Sequence, residues 1–198
     1  GDGAAHVEDD GMESVNAYLM RRTKMFNQAA RESPHDVKVW IDFAQFQDQF
    51  LALTNKRAEA AQLIEKKIAI LEHALRHHPN NETLLLMLMS ETEKIEESSA
   101  VLSQWNRICE RNYHNPEIWH AFIRYRKRDF NTFSVSQIRG EYDRALRSLA
   151  AARRLVKDDL HESEFAIIDF IVEACRFDMQ CGSTERAVAR LQAAVEFG

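Results

Sequence analysis

A chain of 198 residues with 45% hydrophobic and 29% charged side chains can bury a core, and six glycines and three prolines without alternating runs of Val, Ile and Thr exclude a sheet protein. The formal charge of −5 excludes nonspecific coating of nucleic acid, which needs a net basic surface. Cys109, Cys175 and Cys181, odd in number and without a CxxC, are read as reduced thiols, and the longest apolar run, LLLMLM at 84–89, falls far short of the roughly 20 residues that span a bilayer.

The opening GDGAAHVEDDGMES is acidic and glycine-rich, so residues 1–13 are expected to be flexible and a first helix to run over 14–32. A second is predicted over 35–53. Ser33 is placed to cap it, Pro34 fits the first turn, where a missing N–H costs nothing, and Asp36 completes a capping-box spacing. At about 100° per residue from Trp40, the side chains of Val39, Phe43, Phe46 and Phe50 share one arc of about 120°, a stripe that calls for burial.

After a break at Thr54-Asn55, a helix over 57–77 carries His73 and His77 four apart, with His78 following. Zinc needs a third and usually a fourth ligand, and no Cys or carboxylate motif accompanies these histidines. They are read as solvated or C-terminal capping residues, and neither metal nor other cofactor is expected. Pro79 and the asparagines after it open 81–95, where Leu85 and Leu88 stand where other copies place Trp and Phe.

A helix over 98–112 follows. Asn115, Pro116 and Glu117 then restart the earlier pattern with Ile118, Trp119, Phe122 and Tyr125 over 116–128. The DFNTFS turn at 129–134, with Ser134 and Gln137 in capping-box spacing, leads into 135–153. KDDLHES at 157–163 loses periodicity and is the expected long loop. A weaker stripe of Ile167, Phe170 and Ile171 marks 162–180, and Gly182-Ser183 breaks the chain before 184–197.

The intervening helices share a large residue followed by a small one: FNQAA from Phe26, LEHAL from Leu71, WNRIC from Trp105, YDRAL from Tyr142 and LQAAV from Leu191, roughly 34 to 49 residues apart, the scale of helix-pair repeats. The expected fold class is all-α, a right-handed solenoid of antiparallel helix pairs with about nine helices. It would form one domain over 14–198, a fragment of a longer protein. The repeat core is assigned to Trp40, Phe43, Phe46, Leu85, Leu88, Trp119, Phe122, Tyr125 and Tyr142.

The triplets WxxFxxF at Trp40 and WxxFxxY at Trp119, with YxRAL at Tyr142, resemble half-a-TPR (HAT) repeats. More specifically, RRTKMFNQAARESPHDVKVWIDFAQFQDQF at 21–50 resembles the core opening of the nuclear RNAi defective-2 family, through Thr23, Asn27, Pro34, His35, Asp36, Trp40, Phe46, Gln47 and Asp48. The similarity extends over most of 18–150. The resemblance implies a nuclear protein without enzymatic activity that acts in small-RNA-directed silencing and, in many eukaryotes, restrains an exosome-linked RNA helicase. In the family the helicase-binding element lies upstream of the repeats, outside this chain.

RYRKRDFNTF at 124–133 interleaves cations and rings in a way that suits a single RNA strand, but Arg124, Lys127 and Arg128 also sit at a helix carboxyl end, where cations stabilise unpaired carbonyls. RRTK at 21–24 and the segment containing Arg153 and Arg154 read the same way. No P-loop, GxSxG elbow or HExxH is present, so no enzyme is expected, and His35 and Asp36 are read as helix-start residues. The leading expectation is a scaffold for protein partners in nuclear RNA silencing or surveillance. The alternatives are an RNA-binding module on the basic helix surfaces, or a HAT scaffold of pre-mRNA processing.

Overall fold

The computed structural model describes residues 9–54, 60–155 and 160–197. Among these, helices α1 (Asp9–Glu32), α2 (Val37–Thr54), α3 (Ala60–His77), α4 (Glu82–Thr92), α5 (Ser98–Arg111), α6 (Pro116–Arg128), α7 (Val135–Arg153), α8 (Leu160–Gln180) and α9 (Thr184–Phe197) account for all regular structure, and no strand occurs. Two compact units result, Gly1–Glu97 and Ser98–Gly198. Asn55 and residues 1–8 and 157–159 of the expected break, tail and loop lie outside the described residues. Residues 9–13 open α1 and 160–163 open α8.

Consecutive helices run antiparallel within each unit. Trp40, early in α2, lies 5.0 Å from the His73 ring late in α3, while Asp48, late in α2, meets Lys67 nearer the start of α3. In the second unit Ser98, at the start of α5, accepts from the Tyr125 hydroxyl near the end of α6, and Arg139, early in α7, reaches Asp178 late in α8. The fold is an all-α array of antiparallel helix pairs of the HAT/TPR type.

Local chemistry sets the boundaries and corrects several expected starts. Ser33 does not cap α2: its N–H still donates to the Ala29 carbonyl at 2.8 Å, which closes α1. Pro34 and His35 then form a turn, and Asp36 takes the capping role by accepting from the Lys38 N–H at 2.9 Å. Asn81 and Asn115 cap α4 and α6 by accepting from Leu84 and Ile118, with Pro116 in the first turn. The Ser134/Gln137 box does not form. Ser134 makes no side-chain cap bond, its hydroxyl lying 3.1 Å from that of Ser136, and the Gln137 carbonyl that would accept from the Ser134 N–H is taken by the Arg126 guanidinium at 2.8 Å, a charged donor that outcompetes a backbone amide. Gly182, at φ +75°, ends α8 in a Schellman arrangement, with Ser183 N–H on the Asp178 carbonyl and Gly182 N–H on that of Met179.

The cores use the predicted large-and-small pairs. In the first unit Phe26 stacks on Phe43 at 5.4 Å and leans on Phe46 at 5.2 Å, around buried Ala30, Ala44, Leu71 and Ala74. In the second, Trp105 packs on Phe122 at 5.9 Å and Tyr142 on Phe177 at 5.9 Å, with Cys109 and Ala145 as the buried small residues. The fifth copy differs, since Leu191 on α9 is exposed.

Candidate partner-binding surface

Trp40, Phe43, Phe46, Leu85, Trp119, Phe122, Tyr125 and Tyr142 are buried and Leu88 is half-buried. The two tryptophans do the same thing: the indole N–H of Trp40 donates to the Pro34 carbonyl at 2.9 Å, and that of Trp119 to the Tyr113 carbonyl at 3.0 Å. Each ring fills the core while its polar edge ties a helix to the loop that feeds it. That shared bond is the physical content of the sequence repeat.

The other motif residues have local tasks. The Thr23 hydroxyl donates to the Leu19 carbonyl and the Asn27 amide to the Thr23 carbonyl, both along α1. His35 meets the His77 ring edge-on at 5.6 Å, and His73 lies 5.7 Å from His77. Partial burial, followed by the charges of His35, His73, His78 and Arg76, pulls the His77 pKa below its ordinary value. No group of three metal-ligating side chains forms among the described residues.

Asp48 belongs to an ion network that composition did not announce. The Lys67 ammonium, nearly buried on α3, lies 2.9 Å from Asp48 on α2 and 2.7 Å from Glu91 on α4, and Lys94 reaches the other Glu91 oxygen at 2.7 Å. Burial alone would raise the pKa of Glu91, but the hydrogen bonds from Lys67 and Lys94 outweigh it and hold the carboxyl below its ordinary 4.5. Burial likewise pulls against Lys67, and its bonds to Glu91 and Asp48 prevail and raise it above 10.5. A depressed carboxyl contributes stability above its unfolded pKa and loses it as pH falls, whereas a raised amine loses its contribution as pH climbs. Denaturant midpoints are therefore expected to hold across neutrality and to drop below pH 4.5 and above pH 10.5, and Glu91→Gln should flatten the acid limb. An unchanged acid limb in that variant would remove Glu91 as its source.

The basic segments separate on inspection. Arg124, Arg128 and Arg154 are exposed. Lys127 lies over the Tyr142 ring at 5.2 Å and the Phe177 ring at 5.8 Å, and burial lowers its pKa despite the Glu173 charge. Arg153 is paired with Glu164. Arg126, in the middle of the suspected RNA-binding run, is buried and donates to the Thr132 hydroxyl at 2.6 Å, shaping the turn after α6. Asp129 in that turn is held below the usual carboxylate range first by the Thr132 hydroxyl, then by the Asn131 amide and Ser98. Sequence reasoning missed Arg126, Lys67, Glu91 and Asp178. No linear signal marks them, because Arg126 stands within the charged run RYRKR and Lys67 beside Lys66.

A cleft of about 810 Å³ lies in the first unit between α1 and α3, with the far end of α2 beneath it. Its walls carry Lys24 and Arg31 from α1 and Lys66 from α3, and its floor includes Phe50. A narrower continuation of about 300 Å³ runs over Trp40 and Phe43 toward His73.

Antiparallel helix pairs, rings locked at matching places and a groove between alternate helices define a helical-repeat protein of the HAT/TPR class. The sequence model of the family described as NRDE-2, necessary for RNA interference, matches residues 21–198, and the chain belongs to that family. Relatives named Nuclear exosome regulator NRDE2 are 29% identical in Mus musculus over all of this chain, 29% in Homo sapiens over 93% of it and 22% in Dictyostelium discoideum over 93% of it. The chain spans 18%, 17% and 15% of those proteins' own lengths. Among solved structures, a crystal structure of MamA aligns over 97% of this chain and 95% of its own at a TM-score of 0.47 and 10% identity. A second MamA crystal structure aligns over 94% and 86%, with a TM-score of 0.45 and 12% identity.

Proposed function

We propose that this region is a non-enzymatic docking scaffold in the nucleus, holding protein partners of RNA silencing or RNA surveillance, the exosome-linked helicase machinery among them. The observation that carries the reading is the cleft between α1 and α3, a solvent-open groove walled by two helices of the same repeat type with Phe50 of α2 in its lining. Membership of the family and the printed role of its relatives as nuclear exosome regulators support the cellular setting. The test is affinity capture with the tagged chain from nuclear extract, with and without ribonuclease. Retention of RNA-surveillance or silencing proteins after ribonuclease treatment is the expected result. Retention of splicing factors instead would move the scaffold to pre-mRNA processing. Capture that vanishes with ribonuclease, together with micromolar binding of single-stranded RNA at physiological salt, would favour an RNA-binding module.

A further inference from the structure

We propose that the cleft between α1 and α3 takes an extended acidic segment of a partner protein, with carboxylates three residues apart bridging Lys24 and Arg31 and a further carboxylate meeting Lys66. This rests on the scaffold reading and names its site. Lys24 and Arg31 are exposed on one face of α1, seven residues apart, which at about 1.5 Å per residue sets their Cα atoms about 10 Å apart along the axis. Three residues of a polyproline-II chain, at about 3.1 Å each and three to the turn, cover about 9 Å and bring the second carboxylate back to the same face. The exposed Lys66 faces them from α3. Glu32, which also lines the cleft, accepts from the Gln28 amide at 2.7 Å and keeps its charge, so the three cations Lys24, Arg31 and Lys66 outweigh one carboxylate and the lining stays net positive.

The sign of this cleft opposes that of the chain, whose formal charge is −5, and it marks a local complement for an anion. Carboxylates fit better than the phosphates of an RNA strand. Single strands are held by stacking bases on exposed ring faces, whereas here Trp40 and Phe43 are buried and Lys66 lies over the Phe50 ring at 5.9 Å. Met20, at the rim and largely exposed, offers an adaptable apolar contact for a side chain between the carboxylates.

The probe is a fluorescein-labelled peptide with glutamate at every third position and leucine and serine between, titrated with the whole chain and read by anisotropy across a salt series. Binding that weakens as salt rises is expected. Lys24→Glu with Lys66→Glu should weaken it by roughly tenfold or more, since both attractions become repulsions. Arg154→Glu, an exposed reversal in the other unit, should leave it unchanged. Circular dichroism should show all variants equally helical, because every altered side chain is exposed. Absence of micromolar binding, equal affinity of the double variant, equal affinity of a lysine-for-glutamate peptide, or tighter binding of an oligouridylate of matching length would each overturn the proposal. In the nuclear capture experiment, equal retention of the same partners by wild type and double variant would sink the cleft and leave the scaffold standing. Retention of none by either would sink the scaffold itself.

Discussion

Trp119→Ala is expected to destabilise the second unit by about 3–5 kcal/mol, and Trp40→Ala to do the same to the first, because each removes a nearly inaccessible indole from a close-packed core. Trp119 packs on Phe122 at 6.3 Å and lies under the Arg144 guanidinium, 5.0 Å from the ring, so truncation opens a void and strips a half-buried cation of its aromatic face. Phenylalanine separates ring from bond. It keeps much of the volume and deletes the indole N–H, which costs about 1 kcal/mol where the carbonyl has no substitute. The Pro34 carbonyl has one, since His78 Nε2 stands 3.2 Å from it, whereas the Tyr113 carbonyl receives the Trp119 indole. Trp40→Phe should therefore be milder than Trp119→Phe by about 1 kcal/mol in denaturant titrations. A reversed order would show that the indole bonds do not carry the difference, and alanine variants as stable as wild type would contradict the burial of both rings.

That pair of bonds also shows how far the sequence could be read. The stripes that build α2 and α6 were legible because burial imposes a period near 3.6 on apolar residues, and the tryptophans drew attention as the bulkiest members. The register was less visible. Prolines suggested that Pro34 and Pro116 were equivalent, yet Pro34 lies six residues before its tryptophan and Pro116 three. The equivalent residues are the caps Asp36, Asn81 and Asn115, each four before Trp40, Leu85 or Trp119. Eleven residues beyond each cap comes a buried polar side chain, Gln47, Thr92 or Arg126. Gln47 and Thr92 bond back to carbonyls four residues earlier, and Arg126 reaches forward into a turn. A linear pattern does not distinguish such residues from surface ones, because their partners are fixed only when helices meet. Lys127 looked like a solvated cation and lies over two rings, and the walls of the cleft come from α1 and α3, separated in sequence by the whole of α2.

The polar centre of the second unit gives the other large effect. Asp178 is fully buried near the end of α8, accepts from Arg139 Nε at 2.6 Å, and has Arg190 Nε at 3.6 Å from its second oxygen. Arg139 also donates to the Ser183 hydroxyl at 2.6 Å and Arg190 to Asp143 at 2.7 Å, so one carboxylate joins α7, α8, α9 and the turn at Gly182. Its removal leaves two half-buried guanidinium groups facing a polar void, and Asp178→Ala should cost about 3 kcal/mol, the lower end for breaking a buried pair, because both arginines keep a second partner. Asp178→Asn keeps the shape and loses the charge, and should fall between that variant and wild type. Arg153→Ala is the control. It deletes a pair with Glu164 in which both side chains are about two-fifths exposed, where the cost is expected to be under about 1 kcal/mol and to shrink with salt. The comparison is made by urea titration at low and high salt. Equal losses at the two sites would mean that burial does not amplify the Asp178 contacts, and the joining of three helices by that carboxylate would have to be given up.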